Sequence, residues 1–376
     1  MARKAVERNI AYDDRKKKYH VNLDYGKDEN GKRNKKTETF ATLSEVRKRL
    51  KLFEADKIKG NIVHPKKDTV EQYTQYWLEM KSLTRKPTTI YGYRNIIRNH
   101  INPYLGKIEL QKLTMKDLTK YFIHLRDEKK LNPNTIRKHQ DLLKAILNTA
   151  VDEEKVLKNL MLKVDMFEVK TKDRAVYNSE QLKELFIKLE GHGLELPVKL
   201  AGYLGLRRGV INGLKWKNVD FKNRVVTIKE VRTQAGKEEY NMDTKTKTSN
   251  RVLAIPDDLF ELLVKTREKQ EHNKQLLGSE YDDQDYVFCK DNGTLYRANY
   301  CSNEFKKFLD RNGLPHIRFH DLRHSFASIA SEMGVSLYDV SKMLGHSSIG
   351  IIAEIYTHQF DKSNRSGIEA VANTLK

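Results

Sequence analysis

The sequence lacks long apolar segments and contains few cysteines. It has no run of about 18 apolar residues, which argues against a membrane-spanning helix. Its first nine residues carry four charges and no apolar stretch of the signal-peptide type, so we expect a cytoplasmic protein. The two cysteines, Cys289 and Cys301, have neither a disulfide-framework nor a zinc-site spacing, which fits a reducing compartment.

Positive charge, by contrast, is in clear excess. The 376 residues include 71 Lys and Arg against 51 Asp and Glu, giving a formal net charge of +20 and a pI of about 9.6. Such a surplus favours a polyanionic partner, and without a membrane segment nucleic acid is the better prediction than a membrane surface. The length allows two or three domains.

Residues 1–62 are predicted to form a small β-sheet braced by one helix. Side chains alternate over 19–25, a turn is expected at 28–31, and a helix over 43–57 places Val46, Leu50 and Phe53 on one face. The alternative is a solvated, partly disordered basic segment. The candidate DNA contacts here are Lys16, Lys17, Lys18, Lys32, Arg33 and Lys35.

Residues 68–165 are predicted to form a helical bundle of four segments. The first, over 70–81, has Val70, Tyr73, Trp77 and Met80 on its inner side. The second begins near Thr88 and is expected to end at Asn102-Pro103. Thr114 caps the third helix, and Asn132-Pro133-Asn134 begins the fourth.

The polar faces of this bundle are rich in Lys and Arg. They fit a groove that follows DNA phosphates, although an ordinary solvated helix face explains them almost as well. The candidate DNA contacts are Lys81, Arg85, Lys86, Arg94 and Arg98.

A basic linker over 168–174 leads to a third predicted domain, residues 174–376. It reads as a helix around Leu182 and Leu185, strands over 224–231 and 251–255, and then mainly helices. The whole chain is therefore predicted to be multidomain and mainly α, with small β elements.

The last domain contains an ordered set of polar residues. They are Arg207, Lys245, His320-Asp321-Leu322-Arg323, Leu344-Gly345-His346 and Tyr356. Taken singly, each is more often a surface, capping or core residue than a catalytic one. Together they resemble the tyrosine recombinase (phage integrase) family, whose catalytic domain has Arg, Lys, His-x-x-Arg, His or Trp, and Tyr in that order.

The resemblance covers the whole chain and is most specific near its C-terminus. The stretches 320–327, 344–348 and 356–358 look like three family signatures at the correct spacing. The first two domains look, more loosely, like the arm-type and core-binding modules of integrases from conjugative transposons and temperate phages of Gram-positive bacteria. The resemblance implies site-specific recombination that integrates and excises a mobile element.

The residue types suit phosphodiester chemistry. Arg207 and Arg323 would neutralise the charge that develops on the pentacoordinate phosphorus, so we expect no metal and no other cofactor. His320 and Arg323 are three residues apart at the start of a predicted helix and so share a face. The resemblance implies that Tyr356 is the nucleophile of a 3′-phosphotyrosyl intermediate, which makes ATP unnecessary.

The remaining roles also come from the resemblance. His320 would accept or steer the tyrosine proton, and His346, just after a helix that begins at Ser336 and ends at Gly345, would hydrogen-bond the phosphate. Lys245 would donate a proton to the leaving oxygen, but Lys247 in the same repeat is an open alternative.

The sequence departs from the family pattern at two positions. Val210 stands where relatives usually have Glu or Asp, which questions the preorganisation of Arg207. Gly350 occupies a position that is commonly Ser or Thr, just before Tyr356.

The partners implied are double-stranded DNA with core and arm sites, and other copies of the chain. A monomer in solution would form a tetramer on DNA, and an excisionase and a DNA-bending protein are further possibilities. The C-terminal residues 361–376 form an amphipathic pattern that would dock on a neighbouring protomer, or fold back on its own domain. Two other functions are alternatives for this set of residues: a type IB topoisomerase, and a DNA-binding protein of weakened activity on the same scaffold.

Overall fold

The computed structural model describes residues 3–27, 31–58, 67–165, 167–168, 175–243 and 250–345. The chain divides into two compact units, Met1–Thr171 and Lys172–Lys376. Within the described ranges helices predominate and the strands form three small sheets, which confirms the predicted mainly α fold. Within the described ranges, every helix is too short or too polar to span a lipid bilayer.

The chain begins with a four-stranded antiparallel sheet in the order β1-β2-β3-β4. Val21 and Leu23 are fully buried and pack with Val46 and Phe53 of the covering helix, as alternation along the strand predicts. The predicted hairpin corresponds to β3 and β4. The sequence did not predict β1 or β2: all side chains of β1 are exposed and give no apolar pattern, and β2 is only four residues long. The elements are β1 (Lys4–Glu7), β2 (Ile10–Asp13), β3 (Lys18–Lys27), β4 (Arg33–Phe40) and α1 (Leu43–Ile58).

A helical bundle follows. Its first and third major helices begin at capping boxes, in which Thr69 pairs with Gln72 and Thr114 with Asp117, so local sequence fixes both starts. The prediction that Met80 faces inward is wrong, because this side chain lies in the last turn of α2 and is 48% exposed. The helices are α2 (Val70–Ser82), α3 (Pro87–Ile96), α4 (Asn102–Leu105), α5 (Met115–Asp127) and α6 (Pro133–Asp152).

The helix that begins at Pro87 does not end at Asn102-Pro103 as predicted. A π-helical segment, Ile97–Ile101, joins α3 to α4, and the Asn102 N–H donates to the Ile97 carbonyl. Pro103 then occupies the first turn of α4, directly after the π-helical segment, and contributes no backbone N–H to the helix. The π-turn therefore allows the helix to continue past the proline to Leu105.

His139 is a buried titratable group in this bundle. It is 1% exposed, and its Nδ1 lies 2.8 Å from the Tyr121 hydroxyl. Burial, and secondarily the nearby His100, lowers its pKa from 6.5 to about 4. The folded state thus disfavours the proton that the unfolded chain binds below pH 6.5.

We expect acid to destabilise the bundle through this residue. The stabilisation from neutral His139 is complete above pH 6.5 and is lost between pH 6.5 and about 4. The free energy of unfolding falls by about 3 kcal/mol over this range. Urea unfolding can be measured at both ends of this range by Trp77 fluorescence in a Trp216→Phe background. The loss of unfolding free energy on acidification should be smaller for His139→Gln than for the chain that keeps His139. Equal losses with and without His139 would contradict the expectation.

The described part of the second unit has one large core and a smaller one around Val340 and Leu344. Its strands form a three-stranded sheet, β5-β6-β9, and a separate hairpin, β7-β8. The strand predicted over 224–231 is in fact two strands that belong to different sheets, and β8 was not predicted. The strands are β5 (Val219–Asp220), β6 (Val225–Ile228), β7 (Glu230–Ala235), β8 (Glu238–Asp243) and β9 (Arg251–Ala254).

Helices surround these strands. The helix predicted around Leu182 and Leu185 is α7, and the one predicted between Ser336 and Gly345 is α13. The helices are α7 (Ser179–Lys188), α8 (Glu195–Leu204), α9 (Arg208–Gly213), α10 (Asp257–Leu277), α11 (Tyr300–Arg311), α12 (Asp321–Glu332) and α13 (Leu337–Leu344).

Candidate active site

Arg207 lies in the turn between α8 and α9. Gly205 ends α8 with a φ of 60°, and a Cβ there would lie 2.4 Å from the Leu344 side chain, so a glycine is required for both reasons. The half-buried Arg207 follows, at the N-cap of α9. Burial lowers the pKa of its guanidinium, so an anion bound beside it would replace the lost hydration.

His320 and Arg323 lie at the start of α12 but in different surroundings. His320 is the exposed N-cap residue, whereas Arg323 is 2% exposed. The Arg323 guanidinium donates from Nη1 to the Gly205 carbonyl at 2.6 Å and from Nη2 to the Leu344 carbonyl at 2.7 Å. It therefore connects the end of α8 to the end of α13.

Three guanidiniums converge on the C-terminal end of α13. Arg251 Nε donates to the Met343 carbonyl at 2.6 Å, Arg323 to the Leu344 carbonyl, and Arg207 Nη1 to the Gly345 carbonyl at 3.5 Å. These are consecutive residues at a helix end, where the carbonyls carry partial negative charge and favour cations.

The sequence did not indicate that Arg251 joins this cluster of guanidiniums. Burial, and next the charge of Arg207, lowers its pKa from 12.5 to about 10. A Cβ on Gly345 would lie 2.7 Å from Arg251 Nη1, so the left-handed glycine also makes room for this side chain. Repulsion between the two guanidiniums indicates that the site suits an anion. An arginine soon after the Lys-Thr repeat is the only signal that the sequence offered.

Arg207 and His320 also line one open cleft of about 470 Å³. It lies between the α9 start, α11 and the segment before α12. The other lining residues are Arg208, Gly209, Ser302, Lys306, His316, Ile317, Arg318 and Phe319. No carboxylate is among these lining residues of the described chain, so the cleft can receive a phosphate without charge repulsion.

Val210 lies in the core beside this cleft. It is 4% exposed and packs in the large apolar cluster of the second unit, so it supports α9 by burial rather than by an ionic contact. The helix lies close to β7, since a Cβ on Gly213 would be 2.9 Å from the Arg232 backbone nitrogen.

The β7-β8 hairpin is anchored by a buried arginine that pairs with a partly exposed glutamate. Arg232 is 4% exposed and pairs with Glu239, and its Nη1 donates to the Tyr296 carbonyl at 2.8 Å. The pair thus holds the hairpin whose second strand precedes residues 244–249.

The remaining predicted site residues lie outside the described ranges. They are Lys245, its rival Lys247, His346 and Tyr356, together with Gly350 and the predicted helix over 361–376. Within the described part of the chain, no three His, Cys, Asp or Glu side chains come together in a group that could hold a metal ion.

The predicted DNA contacts of the first unit are exposed, except for the half-buried Lys81. Some of them interact within the protein: for example, Arg33 pairs with Asp24 at 2.7 Å, and the Lys81 ammonium lies 5.6 Å from the centre of the Trp77 ring. The others are Lys16, Lys17, Lys18, Lys32, Lys35, Arg85, Lys86, Arg94 and Arg98.

Two family models match the sequence. Residues 175–363 match the phage integrase family, and residues 69–126 match the N-terminal SAM-like domain of phage integrases. A "Tyrosine recombinase XerC-like" protein of Caldanaerobacter subterraneus subsp. tengcongensis is 30% identical over 376 residues, covering 95% of this chain and 96% of that protein. The ICEBs1 integrase of Bacillus subtilis is 26% identical, over 80% of this chain and 81% of its own.

Solved structures show the same fold. A fragment of the Tn1549 transposon integrase, in complex with a circular intermediate DNA, superposes with a TM-score of 0.68 at 20% identity, over 81% of this chain and 99% of that one. A lambda integrase tetramer bound to a Holliday junction gives a TM-score of 0.56 at 18% identity, over 92% and 97% of the two chains.

Proposed function

The chain belongs to the phage integrase family and is a tyrosine recombinase that cuts and rejoins DNA at specific sites, and we propose that Tyr356 forms the covalent intermediate. One observation carries the assignment of the site. Arg207 and Arg323 hold adjacent carbonyls at the end of α13, and Arg207 shares an open cationic cleft with His320. His346 is the next residue after this helix end.

In the proposed reaction, the two arginines bind the non-bridging oxygens of the scissile phosphate. They also stabilise the extra charge that develops on the pentacoordinate phosphorus. The Tyr356 oxygen attacks phosphorus, a Tyr O–P bond forms, and the bond from phosphorus to the 5′ oxygen breaks. Ligation is the reverse, because the phosphotyrosyl ester conserves the bond energy.

Proton transfers accompany both steps. His320, exposed in the cleft, accepts or steers the proton of the attacking tyrosine, and His346 hydrogen-bonds the phosphate. Lys245 protonates the departing 5′ oxygen, with Lys247 as the competing assignment. The anchored β7-β8 hairpin ends just before both lysines. It therefore supports a lysine of this segment as the proton donor and favours neither of the two.

We also propose how the rest of the chain contributes. The domains are residues 1–62, which bind arm sites, residues 68–165, which bind core sites, and the catalytic domain, 174–376. The exposed basic residues of the first two contact the DNA backbone, which fixes position more than sequence. On DNA the chain forms a tetramer in which residues 361–376 dock on a neighbour. An excisionase and a DNA-bending protein then select the direction of recombination.

Covalent capture tests the proposed function. The substrate is a core half-site from the ends of the mobile element, nicked so that the short 5′-hydroxyl fragment diffuses away after cleavage. We expect the wild-type chain to become crosslinked to the 3′ phosphate, and peptide mapping should place the adduct on Tyr356. Adduct formation should persist in EDTA without nucleotide, because guanidiniums supply the charge neutralisation. Cleavage that strictly requires magnesium would contradict the mechanism.

A further inference from the structure

The cleft beside Arg207 and His320 contains more positive charge than one phosphate requires. Arg208, Lys306 and Arg318 also line it, together with His316. Arg318 is neutralised locally, since its Nε lies 3.0 Å from a carboxylate oxygen of Asp321. The charge available to a ligand therefore comes mainly from Arg208 and Lys306.

These two side chains are organised by α9 and α11. Arg208 is the first residue of α9, and its Nη1 donates to the Ser302 hydroxyl at 2.6 Å. Ser302 and Lys306 are four residues apart on α11 and so share one helix face, which borders the cleft. The hydroxyl thus holds the guanidinium on the same face as the ammonium.

Neither cation has an acidic partner within the described part of the chain. The ion pairs there include that of the neighbouring Lys307 with Glu304 at 2.8 Å, but none of Arg208 or Lys306. Both side chains border a cleft that no carboxylate of the described chain lines, so their positive charges are available to a bound anion.

We propose that Arg208 and Lys306 bind a second, non-reacting phosphate of the cleaved strand, one of the two that flank the scissile phosphate. This inference rests on the proposed function, which places the scissile phosphate at Arg207 and His320. Consecutive phosphates of one strand advance by only about 3.4 Å along the duplex axis. Because consecutive phosphates also turn around the axis, the next one lies several ångströms from a phosphate bound at Arg207, a separation that the long side chains of Arg208 and Lys306 in the same cleft can span.

A second contact of this kind would orient the reacting group. One bound phosphate leaves the strand free to rotate about it, whereas two bound phosphates fix the direction of the scissile bond. In-line attack requires the leaving oxygen to lie opposite the nucleophile, so this restraint accelerates cleavage. Arg208 and Lys306 are positioning residues in this scheme, acting through the DNA backbone.

Phosphate neutralisation in the DNA tests the site. A series of nicked half-sites, each with one methylphosphonate near the cleavage position, removes a single negative charge at a time. With the wild-type chain, adduct formation should slow about tenfold at one of the two flanking phosphates, as expected for loss of a charge-assisted contact. Arg208→Ala should slow adduct formation on the unmodified DNA by a similar factor. Neutralising the same flanking phosphate should then slow this variant by less than a further twofold.

Lys306→Ala should behave in the same way and provides a second variant should Arg208→Ala fail to fold. Lys307→Ala is the matched control, since this neighbouring lysine is paired with Glu304 and does not line the cleft. It should retain the full tenfold penalty. If both test variants retain it too while forming adducts, the second phosphate site is wrong. If the wild type forms no adduct even on unmodified DNA, the proposed function fails, and this inference with it.

Discussion

Tyr356→Phe should bind core-site DNA normally and form no covalent adduct on the nicked half-site. The substitution keeps the aromatic ring and removes only the oxygen that would bond to phosphorus, so binding and chemistry separate. Gel shift measures the first property, and denaturing electrophoresis of the trapped complex measures the second. We expect loss of the adduct to below detection, together with a dissociation constant within about twofold of wild type.

Tyr338→Phe is the matched control for this substitution. Tyr338 is a 56% exposed tyrosine on α13 and lies outside the proposed machinery. Its loss of a hydroxyl should leave adduct formation unchanged. A covalent adduct formed by Tyr356→Phe would assign the nucleophile to another residue and refute the central proposal.

Local signals in the sequence predicted much of the helical architecture. Thr114 and Ser336 begin helices because their hydroxyls accept from backbone N–H groups, and Gly345 ends one in the left-handed conformation. Each effect depends on a few neighbouring residues, so it is visible without the fold. The continuation through Pro103 escaped prediction because it depends on a π-turn that no local residue pattern marks.

The contacts within the site could not be predicted from local signals in the sequence. Resemblance identified Arg207, His320 and Arg323 as one set, but not how they are held. The contact of Arg251 with the Met343 carbonyl joins residues 92 positions apart in the chain. Likewise, spacing alone placed His320 and Arg323 on one helix face, yet one is exposed and the other buried. Burial depends on the packing of α8 and α13, which spacing along α12 does not contain.

Arg323→Lys should slow adduct formation by on the order of a thousandfold while leaving core-site binding largely intact. The wild-type guanidinium is planar and uses two of its nitrogens to hold the Gly205 and Leu344 carbonyls. A lysine retains the positive charge, but its single ammonium cannot reproduce this fork. The variant should therefore lose the fixed position of positive charge that the transition state requires.

Two measurements separate this loss from a folding defect. The thermal unfolding of Arg323→Lys should remain cooperative, and its DNA affinity should stay close to that of wild type, since most phosphate contacts lie elsewhere. Arg224→Lys serves as the control for the exchange itself, because Arg224 is half-exposed and pairs with Asp257 away from the cleft. It should react at the wild-type rate. If Arg323→Lys reacts within tenfold of wild type, positive charge alone suffices, and the forked contact between the ends of α8 and α13 does not govern catalysis.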